Sequence, residues 1–273
     1  MDGPPGLPAR PVEEIRGVPM VQGFAPICAR ETPCKCCGTP ASLYGLLDFN
    51  KNCEIYRNNA LDISGVPIYY HRCPECGFIF TTALDHFSKA DFERHVYNDQ
   101  YPLIDPDYQE SRPRHNAKVV AHLLSQARPA RVLDYGGGNG TLAELLRQAR
   151  FSDVTTYDPF VPRFDSKPDG LFDCVICFEV LEHSTDPSRT LREIAELLTD
   201  TGIILISTLL QPGDIDRQGL AWWYAAPRNA HVSLYSSASL EKLARSAGFK
   251  VHSLDQSYHA LVRENQSLVP VPR

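Results

Sequence analysis

A chain of 273 residues, 43% hydrophobic and 22% charged, has the composition of a folded globular protein with space for one large domain or a medium one and a smaller partner. A formal charge of −6 and an isoelectric point near 5.8 give no general electrostatic attraction for nucleic acid, and no apolar run is long enough to span a bilayer. The N-terminus lacks the charged-then-apolar order of a signal peptide, so a cytoplasmic location is expected, and the nine cysteines, odd in number and clustered, point to metal before disulfides.

Residues 1–33 read as a leader rich in proline and glycine, in which Ile15, Val18, Met20, Val21 and Phe24 are candidate anchors to a surface. From Cys34 to Leu84 the texture becomes short strands between two C-x-x-C-G turns. Each such turn presents two thiolates to one ion, and two turns complete a tetrahedral shell. The expected ligands are Cys34, Cys37, Cys73 and Cys76. Cys36 competes with Cys37, but the glycine that follows Cys37 and Cys76 favours the symmetric set, with His71 as the substitute ligand. A closed four-thiolate shell is structural zinc, supplying folding free energy that a small strand-rich module lacks. Cys28 and Cys53 fit no ligand spacing, so both read as ordinary thiols.

Residues 85–128 form a linker with an apolar helical pattern through Val119, Val120, Leu123 and Leu124. Its Tyr97, Tyr101, Arg112 and Arg114 are candidates to cover a ligand, the arginines being suited to a carboxylate.

At Arg131 the pattern changes to alternating strands and helices, the signature of a parallel sheet covered on both faces. The strand Arg131 to Tyr135 leads into four glycines within five positions, Gly136 to Gly140, before a helical run from Leu142 to Ala149. Glycine at a strand-to-helix turn tolerates positive φ and lets the backbone approach a ligand, whose polar end the following helix N-terminus favours. The second strand, Asp153 to Tyr157, ends at Asp158, about twenty residues on, where a carboxylate can accept two ribose hydroxyls. Between Phe160 and Phe172 the chain is short and proline-broken. An apolar strand, Cys174 to Phe178, then runs into E-V-L-E-H and a helix capped by Asp186 with Pro187 first.

The Asp134–Gly136–Gly138–Gly140 spacing resembles motif I of the class I S-adenosylmethionine (SAM) methyltransferases, and F-E-V-L-E-H resembles motif IV of the ubiquinone-biosynthesis-like O-methyltransferases. The segment His231 to Ser236 (H-V-S-L-Y-S) is similar to one in the same family. The resemblance covers Arg131 to Arg263 and implies an α/β fold, a Rossmann-like seven-stranded sheet with a reversed final hairpin, over a methyltransferase domain at 129–265 followed by a tail at 266–273. It implies SAM contacts at Asp134, Tyr135, Gly136, Gly138, Asn139, Asp158, Pro159, Phe178 and Glu179, with Arg112 for the SAM carboxylate. Phe164 and Asp165 are the nearest substitutes for the missing adenine-binding unit.

The chemistry implied is in-line displacement at the sulfonium methyl, with a base for an acceptor hydroxyl. His231 is the first candidate, His183 the second, and Glu179, with Glu182, lies at the same strand end. The loop Thr208 to Ala230, carrying Trp222, Trp223 and Tyr224, is expected either to roof the acceptor pocket or to pack on the metal module. The module itself is similar to that of zinc-containing deoxysugar C-methyltransferases, whose downstream motifs are not matched. The leading acceptor is a hydroxyl, or else a carbon, of a sugar or sugar nucleotide, as free small molecule or glycan. An RNA methyltransferase is the second class, opposed by the acidic balance, and a non-catalytic SAM-binding protein the third.

Overall fold

The computed structural model describes residues 28–57, 60–125 and 129–266. The leader to residue 27, with its candidate anchors, and the last seven residues lie outside them.

In chain order the elements are β1 (Glu31–Pro33), β2 (Pro40–Asp48), β3 (Pro67–Arg72), β4 (Ile79–Thr81), α1 (Lys89–His95), α2 (Tyr101–Ile104) and α3 (Ser111–Leu123). There follow β5 (Arg131–Tyr135), α4 (Thr141–Gln148), β6 (Asp153–Tyr157), β7 (Phe172–Phe178), α5 (Pro187–Glu196) and β8 (Leu198–Ser207). The C-terminal part holds α6 (Ile215–Gln218), β9 (Ser233–Leu234), α7 (Ser237–Ser246), β10 (Phe249–Ser253) and β11 (Tyr258–Arg263).

The larger sheet has the order β10-β11-β8-β7-β5-β6, parallel from β8 to β6 and antiparallel through β11 and β10. Strands β5 and β7 are buried almost throughout, as strands covered on both faces must be, and for that reason read as near-continuous apolar runs. Because β6 lies on one side of β5 and β7 on the other, the carboxyl ends of β5 and β7 open a crevice between diverging connections. Helix α5 begins as the sequence predicts: the Asp186 carboxylate accepts from the Arg189 amide at 2.9 Å, and Pro187 fills the first position, where an amide would go unused.

Among the described residues the sheet has six strands rather than the expected seven. The connection from Tyr157 to Phe172 carries Pro159, Pro162 and Pro168 and has length enough only to cross over β5, so no extra helix and strand form there.

The smaller sheet runs β1-β2-β3-β4-β9, so its fifth strand comes from the far end of the chain. Ile79 pairs with Leu234 and Phe80 with Ser233. A second core, containing Phe49, Tyr70, Leu84, Phe92, Tyr101, Trp222 and Leu234, joins this sheet to the segment after it and to the loop before β9. The Lys51 ammonium donates to the carbonyls of Leu220 (3.0 Å), Trp222 (2.8 Å) and Ala225 (2.6 Å), fixing that loop against the small sheet.

Candidate active site

The crevice is a cavity of about 840 Å³ in the size range of small-molecule sites. One end is the glycine turn. Gly136 has φ +74°, and a β-carbon on it would lie 2.4 Å from Val180 Cγ2, so only glycine fits. Gly138 has φ +54° and nothing within 4 Å of its absent β-carbon, leaving open space above its backbone. Asp134 sits beneath the turn with Oδ2 unpartnered, and burial, reinforced by Asp158, pushes its carboxyl up to about 7. At the tip of β6 the Asp158 carboxylate accepts from the amides of Gly138 (2.9 Å) and Phe160 (2.8 Å). Each oxygen keeps a lone pair for a further donor such as a ribose hydroxyl. The open space at Gly138 and this carboxylate fit the nucleoside end of SAM.

A second part of the wall is aromatic. Phe87, Phe92, Tyr97, Tyr101, Tyr108 and Phe160 line it, with Tyr97 5.1 Å from Phe160 and 6.5 Å from His183 between ring centroids. Glu179, at the end of β7, takes the left-handed conformation (φ +56°), at a cost of order 1–3 kcal/mol for a non-glycine residue. Its amide donates to Ser207 O at 3.1 Å, and Ser207 Oγ donates to its Oε1 at 2.7 Å. Arg112 is held by Asp105 through two bonds of 2.8 Å and lies 3.8 Å from Glu179.

Behind this wall lies a tight polar cluster of Glu182, His183 and His231, each with a ligating atom within 4.8 Å of the others. Glu182 is fully buried, and burial, with help from Glu179, raises its carboxyl to about 8. Its Oε1 accepts from the Tyr224 hydroxyl at 2.6 Å. The Thr208 hydroxyl is close enough to favour its charge, yet neither Thr208 Oγ1 nor Glu182 Oε2 completes a hydrogen bond. Burial lowers His183 to about 4 and His231 well below the usual imidazole value. The two rings are 5.0 Å apart. His231 Nδ1 lies 2.7 Å from the Tyr224 carbonyl, which makes it the protonated nitrogen, and 3.7 Å from Cys53 Sγ.

Away from the cavity, Sγ–Sγ separations are 3.6 Å for Cys34–Cys76, 3.5 Å for Cys37–Cys73 and 3.7 Å for Cys37–Cys76. Zinc–sulfur bonds of ~2.3 Å place the corners of a tetrahedron ~3.8 Å apart, so the four thiols fit a zinc module. Cys36 is buried outside the set, and His71 Nε2 is 2.8 Å from the Ala29 carbonyl. The knuckles are attached to the large domain: Ser236, the N-cap of α7, donates to the Cys76 carbonyl at 2.5 Å, and Ser188 of α5 to the Lys35 carbonyl at 3.1 Å.

A family model described as "Methyltransferase domain" matches residues 108–254, more than half of the chain. The chain belongs to this family. Its crevice and motif order are those of a class I SAM-dependent methyltransferase. Two relatives, the ubiquinone biosynthesis O-methyltransferases of Xanthomonas campestris pv. campestris (strain B100) and Xanthomonas euvesicatoria pv. vesicatoria (strain 85-10), are each 34% identical over 103 residues. The match takes in 29% of this chain and 43% of each relative, so the chain spans less than half the length of the curated relatives it matches. Among solved structures, an O-methyltransferase family protein from Burkholderia thailandensis superimposes with a TM-score of 0.50 at 19% identity, covering 65% of this chain and 63% of that one, a likeness of fold.

In the methyltransferase, the residues singled out from the sequence that line the cavity are Tyr97, Tyr101, Arg112, Asp134, Tyr135, Gly136, Gly138, Asn139, Asp158, Pro159, Phe178, Glu179 and His183. His231 stands one ring behind His183. Phe164 and Asp165 are not on the wall: Phe164 packs against Gly140 and Asp165 faces Lys89. Arg114 pairs with Glu110 on the surface. The Trp222–Tyr224 loop does not roof the cavity, because Lys51 and the second core hold it on the small sheet. Sequence reasoning missed Asp105 and the rings of Phe87, Phe92, Tyr108 and Phe160. The only signal for the rings was aromatic density, which a packed core also produces. No helix among the described residues is long and apolar enough to cross a membrane.

Proposed function

We propose that the chain catalyses methyl transfer from SAM to a hydroxyl of a small molecule bound against the aromatic wall. The observation that carries this reading is the sharing of one cavity by the glycine turn, Asp158 and His183. SAM supplies an activated methyl: as the new O–CH3 bond forms, the S–CH3 bond breaks, its electron pair stays on sulfur, and the acceptor gives up its hydroxyl proton.

The residues then divide the work. Gly136 and Gly138 let the backbone approach the donor, and Asp158 holds the ribose. Glu179, fixed by Ser207 and balanced against Arg112 and Asp105, sets the charge where the two ligands meet. The aromatic wall excludes water and aligns the acceptor, so proximity supplies much of the acceleration. His183 lies where the hydroxyl proton departs, with His231 behind it. Cys34, Cys37, Cys73 and Cys76 hold a structural zinc.

The name of the Xanthomonas relatives supports O-methylation. A sugar or sugar nucleotide is the acceptor class taken from the sequence, and the ring-lined wall supports a planar aromatic hydroxyl as the second. The test is incubation with methyl-labelled SAM and a panel of sugar nucleotides, glycans, aromatic hydroxyls and RNA, read by mass spectrometry. A label on an oxygen of one small molecule is expected. Label on RNA alone, or failure to bind S-adenosylhomocysteine (SAH), would overturn the reading.

A further inference from the structure

Helix α3 is fastened over the glycine turn. The Gln109 carbonyl just before it accepts from Asn139 Nδ2 (3.1 Å) and Thr141 Oγ1 (3.3 Å), and its Ala117 and Val120 share a core with Leu142, Ala143 and Phe178. Two of its polar side chains, one helical turn apart, stand on the cavity wall: Arg112 and Asn116. Arg112 is already engaged. Both its terminal nitrogens donate to Asp105 and its Nε lies 3.8 Å from Glu179, so two carboxylates face one guanidinium. Asn116 is the opposite case. It is 5% exposed, its Oδ1 accepts from the Tyr258 hydroxyl at 2.8 Å, and its Nδ2 has no partner among the described residues. An amide nitrogen carries a pair of donors, and donors enclosed without a partner are costly, so they mark a place built for a ligand. The hydroxyl that orients the amide is itself fixed: Tyr258 pairs with Ser207 in the large sheet, and its ring packs edge-on against Phe178 at 5.4 Å.

We propose that Asn116, oriented by Tyr258, takes the carboxylate of the donor's amino-acid end, and that Arg112 does not. This rests on the methyl-transfer reading above. With the ribose at Asp158 on β6, the donor crosses the turn at the end of β5, and its amino-acid end falls on the β7 side, where Leu142, Phe178 and Asn116 line the wall. A carboxylate there accepts charge-assisted hydrogen bonds from the free Nδ2. The guanidinium shared by Asp105 and Glu179 offers it no surplus positive charge, because the group of three is already negative in sum. Asn116 is in this scheme a binding residue. Tyr258, which is not on the wall, is a positioning residue that acts through it.

Three ligands separate the parts of the donor: SAH, its decarboxylated form, and methylthioadenosine, which ends at the thioether. Their affinities for the full chain are measured by calorimetry. The wild type is expected to prefer SAH to the decarboxylated form by about tenfold or more. In Asn116→Ala that preference should shrink to within about twofold while methylthioadenosine binds as before. Asn116→Asp should reverse it, by setting one carboxylate against another. Tyr258→Phe removes only the orienting hydroxyl and should narrow the preference about threefold. Arg112→Lys keeps the charge and loses the fork, and should leave the preference within about twofold of the wild type. A wild type that binds SAH and its decarboxylated form equally, an unchanged preference in Asn116→Ala, or equal losses of all three ligands in Asn116→Ala and Tyr258→Phe would overturn the proposal and leave the methyltransferase reading standing. A preference lost in Arg112→Lys and kept in Asn116→Ala would overturn it in favour of Arg112. The wild-type series and Tyr258→Phe decide even if an Asn116 variant fails to fold. Wild-type protein that binds none of the three ligands would overturn the methyltransferase reading itself, and the proposal with it.

Discussion

The two ends of the cavity are built in different ways. The donor end is made of consecutive residues: a strand, a glycine turn, a helix, and one carboxylate at the tip of the neighbouring strand. The proposed acceptor side gathers the rings of residues 87–108, Phe160 and the end of β7, parts distant in sequence, and most of those rings belong to a core shared with the small sheet. A ligand common to many enzymes is thus met by local backbone geometry, and a particular one by tertiary packing.

Four experiments break or sharpen that contrast. The largest effect is expected at the four-cysteine module, whose second turn joins β3 to β4. On the structural-zinc reading proposed above, Cys73→Ser should cost several kcal/mol of stability, visible as a large fall in Tm, because metal binding to such a shell is folding free energy. A Tm within a few degrees of the wild type would show that the knuckles are ornamental.

His231→Ala should lower turnover about a thousandfold while SAH affinity stays within about threefold, since it stands behind His183 and off the cavity wall. Loss of SAH binding would mean that the two ends are not separable.

Asp134 tests the donor end by pH. Its carboxyl is raised in the fold from 3.8 to about 7 by burial and Asp158, against the opposing pull of the Ala143 amide and Arg147. Between those values the folded state holds a proton that the unfolded chain has released, so the contribution is favourable below about pH 4 and is lost as pH climbs to about 7. The stability of Asp134→Asn relative to wild type should therefore improve by about 2–4 kcal/mol from pH 4 to pH 8, measured by urea unfolding. A difference independent of pH would contradict the buried state of this carboxyl.

The smallest effect is expected for Gly136→Ala, whose new methyl meets Val180 in a positive-φ turn. SAH affinity should fall about 10–100-fold with the overall fold retained. An unchanged Kd by calorimetry would remove the turn from the donor site.

The legible parts of this protein were those in which a few consecutive residues carry the physical constraint. Strand β5 occupies the predicted residues because a buried parallel strand needs an apolar run, and the edge strand β6 because its β-branched residues, buried on alternate positions, stand between turn signals. The Asp186–Pro187 helix start and the four clustered thiols were readable for the same reason: a cap or a metal shell imposes residue type at short spacing. The proline-broken stretch after Asp158 could be read as short, yet the count of six strands required seeing what it crosses. The bond between Arg112 and Asp105, the removal of the Trp222 loop to the small sheet and the convergence of Glu182, His183 and His231 were decided by tertiary structure alone. Sequence by itself determined the donor turn, because backbone conformation is local. What faces the donor depends on which distant surfaces bury one another, and periodicity records that a side chain is buried without saying against what.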